Sequence, residues 1–410
     1  MKVSVLGGST PHTVALVEAI LEVWTAQHGP MAIHLIGRNV ERLNAVTSFS
    51  NKRIAACGAA DFLQVFSKTD PALGCENADV VIFQVRAGGL EGRAKDETFS
   101  HAFQIPGDEG LGPGGLAAAM RTFPVMEQLA KALPPPQDCM VLMLTNPLGL
   151  CCRKLQELWP GHVLGVCELP QLTLDNALGH APNEGTRAEF SGMNHQAFWH
   201  RIEQDGVDLL PKLIAELPSW ARDSQLQGAL PLPYLRLYFD REALCAEHAA
   251  RPNTRSVDLM NLCDRLIEEC QRLDGSTPLS SGADRSTPWY DRVVVRALAA
   301  KATGRKTSLF ATMPAGMKHS FASEHSMIER EVLVGEEVTP LADPPCPEGL
   351  QPFLRRISEA EDLAWIAAND PNVDAVFQAM RAHPLCDHLN DESCKELARA
   401  CLQAGGQSCE

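Results

Sequence analysis

The sequence has too little positive charge for a protein that binds nucleic acid or an anionic membrane surface. Its apolar runs are also too short for a protein that spans a membrane. Its 36 Lys and Arg residues are outnumbered by 51 Asp and Glu residues, which gives a net charge of −15. Nucleic acids and anionic membrane surfaces attract basic proteins, so this charge argues against both as partners. No apolar run approaches the ~20 residues of a membrane-spanning helix, and the start MKVSVLGG lacks the basic and apolar regions of a secretory signal. We therefore expect a cytoplasmic protein.

Zinc-type cysteine spacing is also missing. The 14 cysteines are scattered through the chain without the CxxC pairs of zinc sites. A disulfide scaffold would require an oxidising compartment, for which the sequence carries no signal. We therefore expect reduced thiols that pack as small apolar side chains. With 45% hydrophobic and 21% charged residues, the composition is that of a globular protein, and 410 residues favour two domains.

Strand and helix patterns alternate in the first part of the chain. Apolar and periodic runs predict strands at residues 2–8, 32–36, 79–85 and 140–144, and helices at residues 13–25 and 40–57. This alternation predicts a parallel sheet wound with helices. The Gly- and charge-rich residues 86–113 are expected to form a loop or lid at the carboxyl edge of that sheet, where ligands bind.

Parallel-strand runs become rare after about residue 150. Helical patterns then predict helices at residues 256–273, 291–300, 358–368 and 373–382, with a Pro-rich passage at 339–352 before the last two. The predicted fold class is therefore α/β. We expect a Rossmann-like dinucleotide-binding domain at residues 1–160 and an α+β domain at residues 161–410 that holds substrate and metal and forms an oligomer interface.

The first strand is followed by a turn that we assign to the cofactor, formed by Gly7, Gly8, Ser9 and Thr10. Glycines at this position let the backbone approach a pyrophosphate and direct helix N–H groups at it. The full GxGxxG pattern is absent, so an ordinary strand-to-helix turn remains an alternative. The second strand ends without the Asp or Glu that binds the ribose of NAD. Arg38 could instead contact the 2′-phosphate of NADP, or it could be a solvated arginine.

Further polar residues stand where a ligand could lie, and each also has a plain structural interpretation. Arg93 could be a solvated charge, Glu109 a carboxylate that tethers a loop, and Asn146 an Asx turn before a proline. Cys167 ends an apolar run, and His195 follows in the sequence Gly-Met-Asn-His. A thiolate and an imidazole can share a divalent ion that keeps positions open for substrate oxygens, whereas singly they would be a buried thiol and a satisfied histidine.

In this order, the segments resemble glycoside hydrolase family 4, the NAD- and metal-dependent glycosidases, and most of all its 6-phospho-β-glucosidase branch. The resemblance is carried by the Gly-rich start, RAGGLEGRAKDE at residues 86–97, the GxETxGPGG-like residues 107–125, TNP at 145–147, the GLCNxP-like residues 165–170 and the GLNH-like residues 192–195. A thinner match continues at residues 233–238 and 254–258, and the resemblance fades beyond about residue 300.

The resemblance implies a set of roles: Cys167 and His195 as metal ligands, Tyr234 as the base, and Arg93, Asn146, Asn194 and Arg255 as substrate contacts, with Asn146 also beside the cofactor. It implies NAD or NADP, a divalent metal such as manganese, a small sugar substrate, and a homodimer or homotetramer. Glu168 stands where the β-glucosidase branch has Asn and an α-glucosidase branch has an acid thought to protonate the leaving group. Glu168 is therefore the candidate acid, and the anomer stays open.

The implied reaction is redox-neutral hydrolysis of a glucoside that is 6-phosphorylated or otherwise anionic. Oxidising the C3 hydroxyl acidifies the C2 hydrogen, so the aglycone can be eliminated, water can add, and the hydride returns. Two alternatives are an NAD(P)-dependent dehydrogenase of the lactate/malate type and a nucleotide-binding sensor without catalysis. The dehydrogenase would accumulate reduced cofactor and would have no use for Cys167.

Overall fold

The computed structural model describes residues 1–222, 228–317 and 319–407. Its strands are β1 (Lys2–Leu6), β2 (Met31–Ile36), β3 (Leu63–Lys68), β4 (Val80–Phe83), β5 (Met140–Met143), β6 (His162–Val166), β7 (Thr186–Met193), β8 (Gln196–Gln204), β9 (Val207–Asp208), β10 (Leu230–Pro231), β11 (Thr307–Pro314), β12 (Met327–Val334) and β13 (Val338–Pro340).

Its helices are α1 (Thr13–Val23), α2 (Val40–Ala56), α3 (Pro71–Cys75), α4 (Gly89–Asp96), α5 (Gly112–Leu129), α6 (Leu148–Leu158), α7 (Leu169–Leu178), α8 (Leu210–Ala215), α9 (Ser219–Arg222), α10 (Arg236–Phe239), α11 (Arg241–Ala250), α12 (Arg255–Arg272), α13 (Val295–Thr303), α14 (Gln351–Asn369), α15 (Val373–Ala382) and α16 (Asp391–Ala404). Among the described residues, none of these helices combines the length and the apolar character needed to cross a bilayer.

A nine-stranded sheet runs through the molecule in the order β13-β12-β11-β6-β5-β4-β1-β2-β3. The six strands β3-β2-β1-β4-β5-β6 are parallel, which is the strand order of a doubly wound dinucleotide-binding fold. Strands β11 to β13 extend this sheet in antiparallel fashion. A smaller antiparallel sheet contains β10, β8 and β7, with β9 against β8. The predicted α/β class is confirmed.

Helices cover both faces of the large sheet because side chains alternate along each strand. In β4, Val80 and Ile82 join one apolar cluster with α1, α2, α12 and α13, while Val81 and Phe83 join another with α5, α6, α15 and α16. Since β11 and β12 belong to the same sheet as β1, the two halves of the chain share these cores. The boundary near residue 160 remains a prediction.

The predicted loop at residues 86–113 is wrong in part, because it contains α4 and a 3-10 helix at Phe99–Phe103. Gly88 begins α4 in the left-handed region with φ of 80°. Glu91 in the first turn and Arg93 and Lys95 in the last turn suit the helix dipole. Asp96 anchors its end by an ion pair with Arg121 of α5. The glycines and charges that suggested a loop are therefore the start and the ends of a helix.

Helix α14 also begins earlier than predicted, at Gln351 rather than residue 358. Pro352 lies in its first turn, where a missing N–H costs nothing, so the proline does not separate the helix from the preceding passage. The helix predicted at residues 291–300 opens with a π turn at Tyr290–Val294. All cysteines in the described part of the chain are unpaired, and all but Cys57 and Cys245 are buried, as predicted.

Candidate active site

The carboxyl ends of the parallel strands bring several predicted residues to one edge of the sheet. The turn at Gly7 follows β1, Arg86 follows β4, Asn146 follows β5 and Cys167 follows β6. The strand order reverses between the parallel neighbours β1 and β4, since β2 and β3 lie on one side of β1 and β4 to β6 on the other, and ligands of this fold bind at such a switch point. Five separate sequence segments therefore meet there once the hairpin of β7 and β8 adds His195.

The cofactor turn is held tightly to the sheet. The backbone N–H groups of Gly7 and Gly8 both donate to the Ile36 carbonyl, at 3.0 and 2.9 Å. Gly7 has φ of +91°, and a Cβ there would lie 2.6 Å from the Gln84 carbonyl oxygen. Only glycine fits this position. Ser9 and Thr10 follow in the turn before α1, where the predicted pyrophosphate contact lies.

Cys167, Asn194, His195 and Tyr234 form one cluster. Burial raises the pKa of the Cys167 thiol, and the nearby Asn194 amide partly opposes the rise, while the His195 ring stacks on Tyr234 with centroids 4.0 Å apart and planes 12° apart. Burial lowers the pKa of His195 to about 4, so its imidazole is neutral at pH 7. His195 Nδ1 is buried and has no hydrogen-bond partner in the described residues. An orphaned, neutral imidazole nitrogen near a thiol is a donor set that suits a borderline divalent metal.

No group of three or more His, Cys, Asp or Glu side chains in the described residues is arranged to hold a metal. The cluster therefore supplies a thiol and an imidazole and leaves the remaining coordination positions to other ligands. An open site of this kind can accept substrate oxygens.

The chain has three tyrosines, and they differ in whether the hydroxyl is hydrogen-bonded. Tyr238 donates to Gln196 at 2.6 Å and Tyr290 donates to Gln84 at 2.7 Å, whereas Tyr234 has no hydrogen-bond partner among the described residues. Burial raises the pKa of Tyr234, and the Asp108 carboxylate raises it further, while Arg255 and Arg93 oppose the rise. The Tyr234 hydroxyl is thus free to meet a ligand, with Arg255, Arg93 and the Asp108 carboxylate close enough to affect its pKa.

Arginines gather on one side of this cluster. Arg86 makes two hydrogen bonds to Glu109, at 2.9 and 2.8 Å, and Arg93 makes ion pairs of 2.7 Å with both Glu97 and Glu109. Burial opposes ionisation of Glu109, but the two guanidinium groups outweigh it and lower its pKa to about 2. Glu109 is therefore more than a loop tether, because it fixes two arginines at the edge of the site.

Arg285 approaches the same group of arginines. Burial, followed by repulsion from Arg86, Arg93 and Arg255, lowers the pKa of Arg285 to about 10. Its Nε is sealed from water and has no hydrogen-bond partner in the described residues. A guanidinium held among other cations without a carboxylate of its own is a place where a bound anion would be stabilised.

A cavity of about 290 Å³ lies beside Tyr234, with Arg93, Asp108, His248 and Arg255 among its lining residues. Small-molecule sites begin at roughly 300 Å³, so the space suits one small ligand. Arg255 also lines a second cavity, of about 400 Å³, together with Arg285. Arg255 therefore joins the tyrosine side of the site to the arginine side.

Two family models match this chain. One describes family 4 glycosyl hydrolases and matches residues 2–178, and the other describes the C-terminal domain of the same family and matches residues 190–386. The chain belongs to glycoside hydrolase family 4. The resemblance seen in the sequence is thereby confirmed, and the family match gives no support to the lactate/malate dehydrogenase alternative.

Relatives of this family 4 member include a probable 6-phospho-β-glucosidase of Bacillus subtilis, 27% identical over 52% of this chain and 49% of the relative. The 6-phospho-β-glucosidase BglT of Thermotoga maritima is 26% identical over 66% of each chain. This chain thus spans about half to two thirds of the length of these relatives. A structure of the Thermotoga maritima 6-phospho-β-glucosidase with NAD and glucose-6-phosphate covers 98% of both chains, with a TM-score of 0.84 and 21% identity, which shows the shared fold.

Most predicted site residues of this family 4 member lie around the site described above. Asn146 is partly buried beside the Gly-rich segment, 3.6 Å from the position that a Cβ on Gly110 would take. Glu168 is half-buried at the start of α7, next in the chain to Cys167. Burial raises the pKa of Glu168, and repulsion from Asp291 adds to the rise. Arg38 lies apart from this group, at the end of β2 on the far side of β1.

Sequence reasoning missed Arg285 and Glu329. Glu329 lies on β12 and is 3% exposed, and its Oε1 accepts a hydrogen bond from Asn194 at 3.4 Å. Its Oε2 has no partner in the described residues, and burial raises its pKa to about 8. No signal in the sequence distinguishes Glu329 from Glu331 on the same strand, which is exposed and accepts a hydrogen bond from the Ser308 hydroxyl. Only the packing of β12 beside the hairpin that carries Asn194 makes the difference.

Proposed function

We propose that this family 4 member hydrolyses a 6-phosphorylated glucoside without net oxidation or reduction. The observation that carries the proposal is the placement of Arg255 between the free hydroxyl of Tyr234 and the unpaired guanidinium of Arg285. This placement lets one sugar reach a base with its ring and a cationic group with its phosphate. We also infer a homodimer or homotetramer that acts in the cytoplasm, on the strength of family membership.

Cys167 and His195 are the residues that would hold a divalent metal such as manganese, and the turn at Gly7, Gly8, Ser9 and Thr10 would hold a nicotinamide dinucleotide. When bound, the nucleotide would take a hydride from C3 and return it, and the metal would polarise the sugar's C2 and C3 oxygens. The orphaned Nδ1 of His195 and the close approach of the Gly7 turn to the sheet support both assignments.

The chain's own side chains divide the remaining work. Tyr234 takes the C2 proton, because its hydroxyl is free and lies among arginines. Glu168 protonates the departing oxygen, because burial favours its protonated form. Arg93, Arg255 and Arg285 hold the anionic group, and Asn146 and Asn194 bind sugar hydroxyls. The Asn194 amide also donates a hydrogen bond to Glu329.

The reaction type is tested by following hydrolysis of nitrophenyl glucoside 6-phosphates of both anomers with manganese and oxidised nucleotide. We expect turnover that requires the oxidised nucleotide yet leaves its reduced form undetected, because each hydride taken is given back. The absorbance of reduced nicotinamide and the release of nitrophenol are recorded together. Reduced nucleotide that grows in step with product would support the dehydrogenase interpretation instead.

The phosphate subsite is tested by Arg285→Ala. We expect KM for a 6-phosphorylated glucoside to rise about 10- to 100-fold with little change in kcat. The reason is that a hydrogen bond to a charged group contributes roughly 1.5–3 kcal/mol, here to substrate binding. Arg285 is a better probe than Arg93, whose loss would also remove an ion-pair partner from the buried carboxylates of Glu97 and Glu109. The matched control is Arg356→Ala, whose guanidinium is exposed and paired with Asp387. Equal effects of Arg285→Ala on phosphorylated and unphosphorylated glucosides would contradict the assignment.

A further inference from the structure

The end of β2 lacks the group that dinucleotide-binding folds use to recognise an unphosphorylated ribose. In such folds a carboxylate at this point hydrogen-bonds the 2′-hydroxyl of NAD, whereas a nearby arginine accommodates the 2′-phosphate of NADP. Here β2 ends at Ile36, and Gly37, Arg38 and Asn39 lead into α2. The first acidic residue is Glu41, which already belongs to the first turn of α2.

The missing carboxylate is a consequence of packing. A Cβ placed on Gly37 would lie 2.7 Å from the Ser9 Cβ, 2.8 Å from its Oγ and 3.1 Å from its backbone nitrogen. Contacts this short do not occur between real atoms, so a side chain at position 37 and the serine at position 9 exclude each other. The hydroxymethyl group of Ser9 fills the space in which the carboxylate of an Asp at position 37 would begin.

The charge at this point of the fold is positive. Arg38 is exposed and has neither an ion pair nor a side-chain hydrogen bond within the described residues. The neighbouring Arg42 is already paired with Asp264 at 2.7 Å, so it is not equivalent. The N-terminus of α2, a 17-residue helix, begins at Val40 and adds the positive end of its dipole. Ser9 contributes a hydroxyl donor beside Gly37.

We propose that this protein binds a 2′-phosphorylated nicotinamide dinucleotide in preference to the unphosphorylated form, with Arg38 pairing the 2′-phosphate and Ser9 Oγ hydrogen-bonding it. A guanidinium, a hydroxyl and a helix N-terminus are matched to a dianion, and no carboxylate stands at the strand end to repel it. The proposal rests on the dinucleotide site of the proposed function. It sets this chain apart from the Thermotoga maritima relative, which was solved with NAD.

The test is direct titration of the purified full-length protein with oxidised NADP and with oxidised NAD, by calorimetry, without sugar or metal. We expect the Kd for NADP to be at least about 10-fold lower than that for NAD. Arg38→Ala should raise the Kd for NADP about 10-fold or more and leave the Kd for NAD unchanged. Arg42→Ala is the matched control, because Arg42 lies in the first turn of α2, close to Arg38 in the chain, but is paired with Asp264, and it should leave both affinities unchanged.

A double variant provides the converse. Ser9→Gly with Gly37→Asp removes the two shortest contacts, those with the Ser9 side chain, and restores a carboxylate, so it should reverse the preference toward NAD. Gly37→Asp alone should weaken the binding of both nucleotides because of the collision with the Ser9 side chain. The proposal would be overturned if the unmodified protein bound NAD as tightly as NADP or more tightly. It would also be overturned if Arg38→Ala lowered the affinity for both nucleotides equally.

These outcomes are separable from the proposed function. If the protein hydrolyses phosphorylated glucosides but binds NAD more tightly than NADP, the proposed glycosidase function stands and the proposed NADP preference is wrong. If the protein prefers NADP through Arg38 but cleaves no glucoside, the NADP preference stands and the glycosidase function is wrong. Failure to bind either nucleotide would overturn both.

Discussion

Cys167→Ser is expected to abolish metal-dependent turnover while the protein stays folded. Serine preserves the shape of the side chain but replaces a thiolate ligand by a hydroxyl, which binds borderline divalent ions poorly. Because groups that merely support metal ligands are worth roughly 10- to 100-fold in affinity, we expect loss of the ligand itself to weaken manganese binding by more than about 100-fold. Manganese titration of the variant, with thermal unfolding alongside, measures both effects.

The control for this variant is Cys151→Ser. Cys151 is also buried, but it lies on α6 with its thiol in an apolar cluster, and the resemblance gives it no role in the metal site. Both variants put a hydroxyl where a buried thiol was, so we expect each to shift the unfolding midpoint by no more than about 4 °C. Manganese affinity should fall only in Cys167→Ser. Unchanged manganese affinity in that variant would remove the thiol from the metal site.

Tyr234→Phe should stop exchange of the sugar's C2 hydrogen with solvent and lower kcat by about 100- to 10,000-fold, the usual range for loss of a general base. The variant removes only the hydroxyl, so the ring can still stack on His195. Burial raises the pKa of Tyr234 in the absence of a bound cation, so the phenol needs a nearby positive charge to lose its proton near neutral pH. Deuterium incorporation at C2 during turnover in heavy water is the measurement.

Two further variants separate this role from others nearby. Tyr238→Phe removes one hydrogen bond to Gln196 and should retain the exchange. Glu168→Gln should also retain the exchange. It should slow the hydrolysis of alkyl glucosides far more than that of nitrophenyl glucosides, because protonation by a general acid matters most for poor leaving groups. Deuterium entering C2 at the normal rate in Tyr234→Phe would show that another group is the base.

Much of the fold could be predicted because its signals are local. The apolar runs and turn residues that delimit a strand lie within the strand itself, so the prediction of residues 32–36 differs from β2 at Met31–Ile36 by one position. Helix α15, predicted at residues 373–382, matches Val373–Ala382. Helix α4 was missed because its eight residues include two glycines and four charged side chains that also suit a loop, and its end is held by the distant partner Arg121.

The sequence by itself determined the α/β class and the alternation of strands and helices that indicates a parallel sheet. It also determined the candidate residues Cys167, His195 and Tyr234, since each depends on short motifs or periodicity. Only the tertiary structure decided which charges matter. Asn194 meets Glu329 across 135 positions, and Arg285 is repelled by Arg86 and Arg93 from a different part of the chain. Burial and charge pairing arise from such long-range packing, and nothing within a few residues of Glu329 or Arg285 encodes it. In the same way, the sequence shows only that Gly37 stands where an acidic residue is expected. The structure gives the reason that an acid does not fit, because a side chain at position 37 would collide with Ser9.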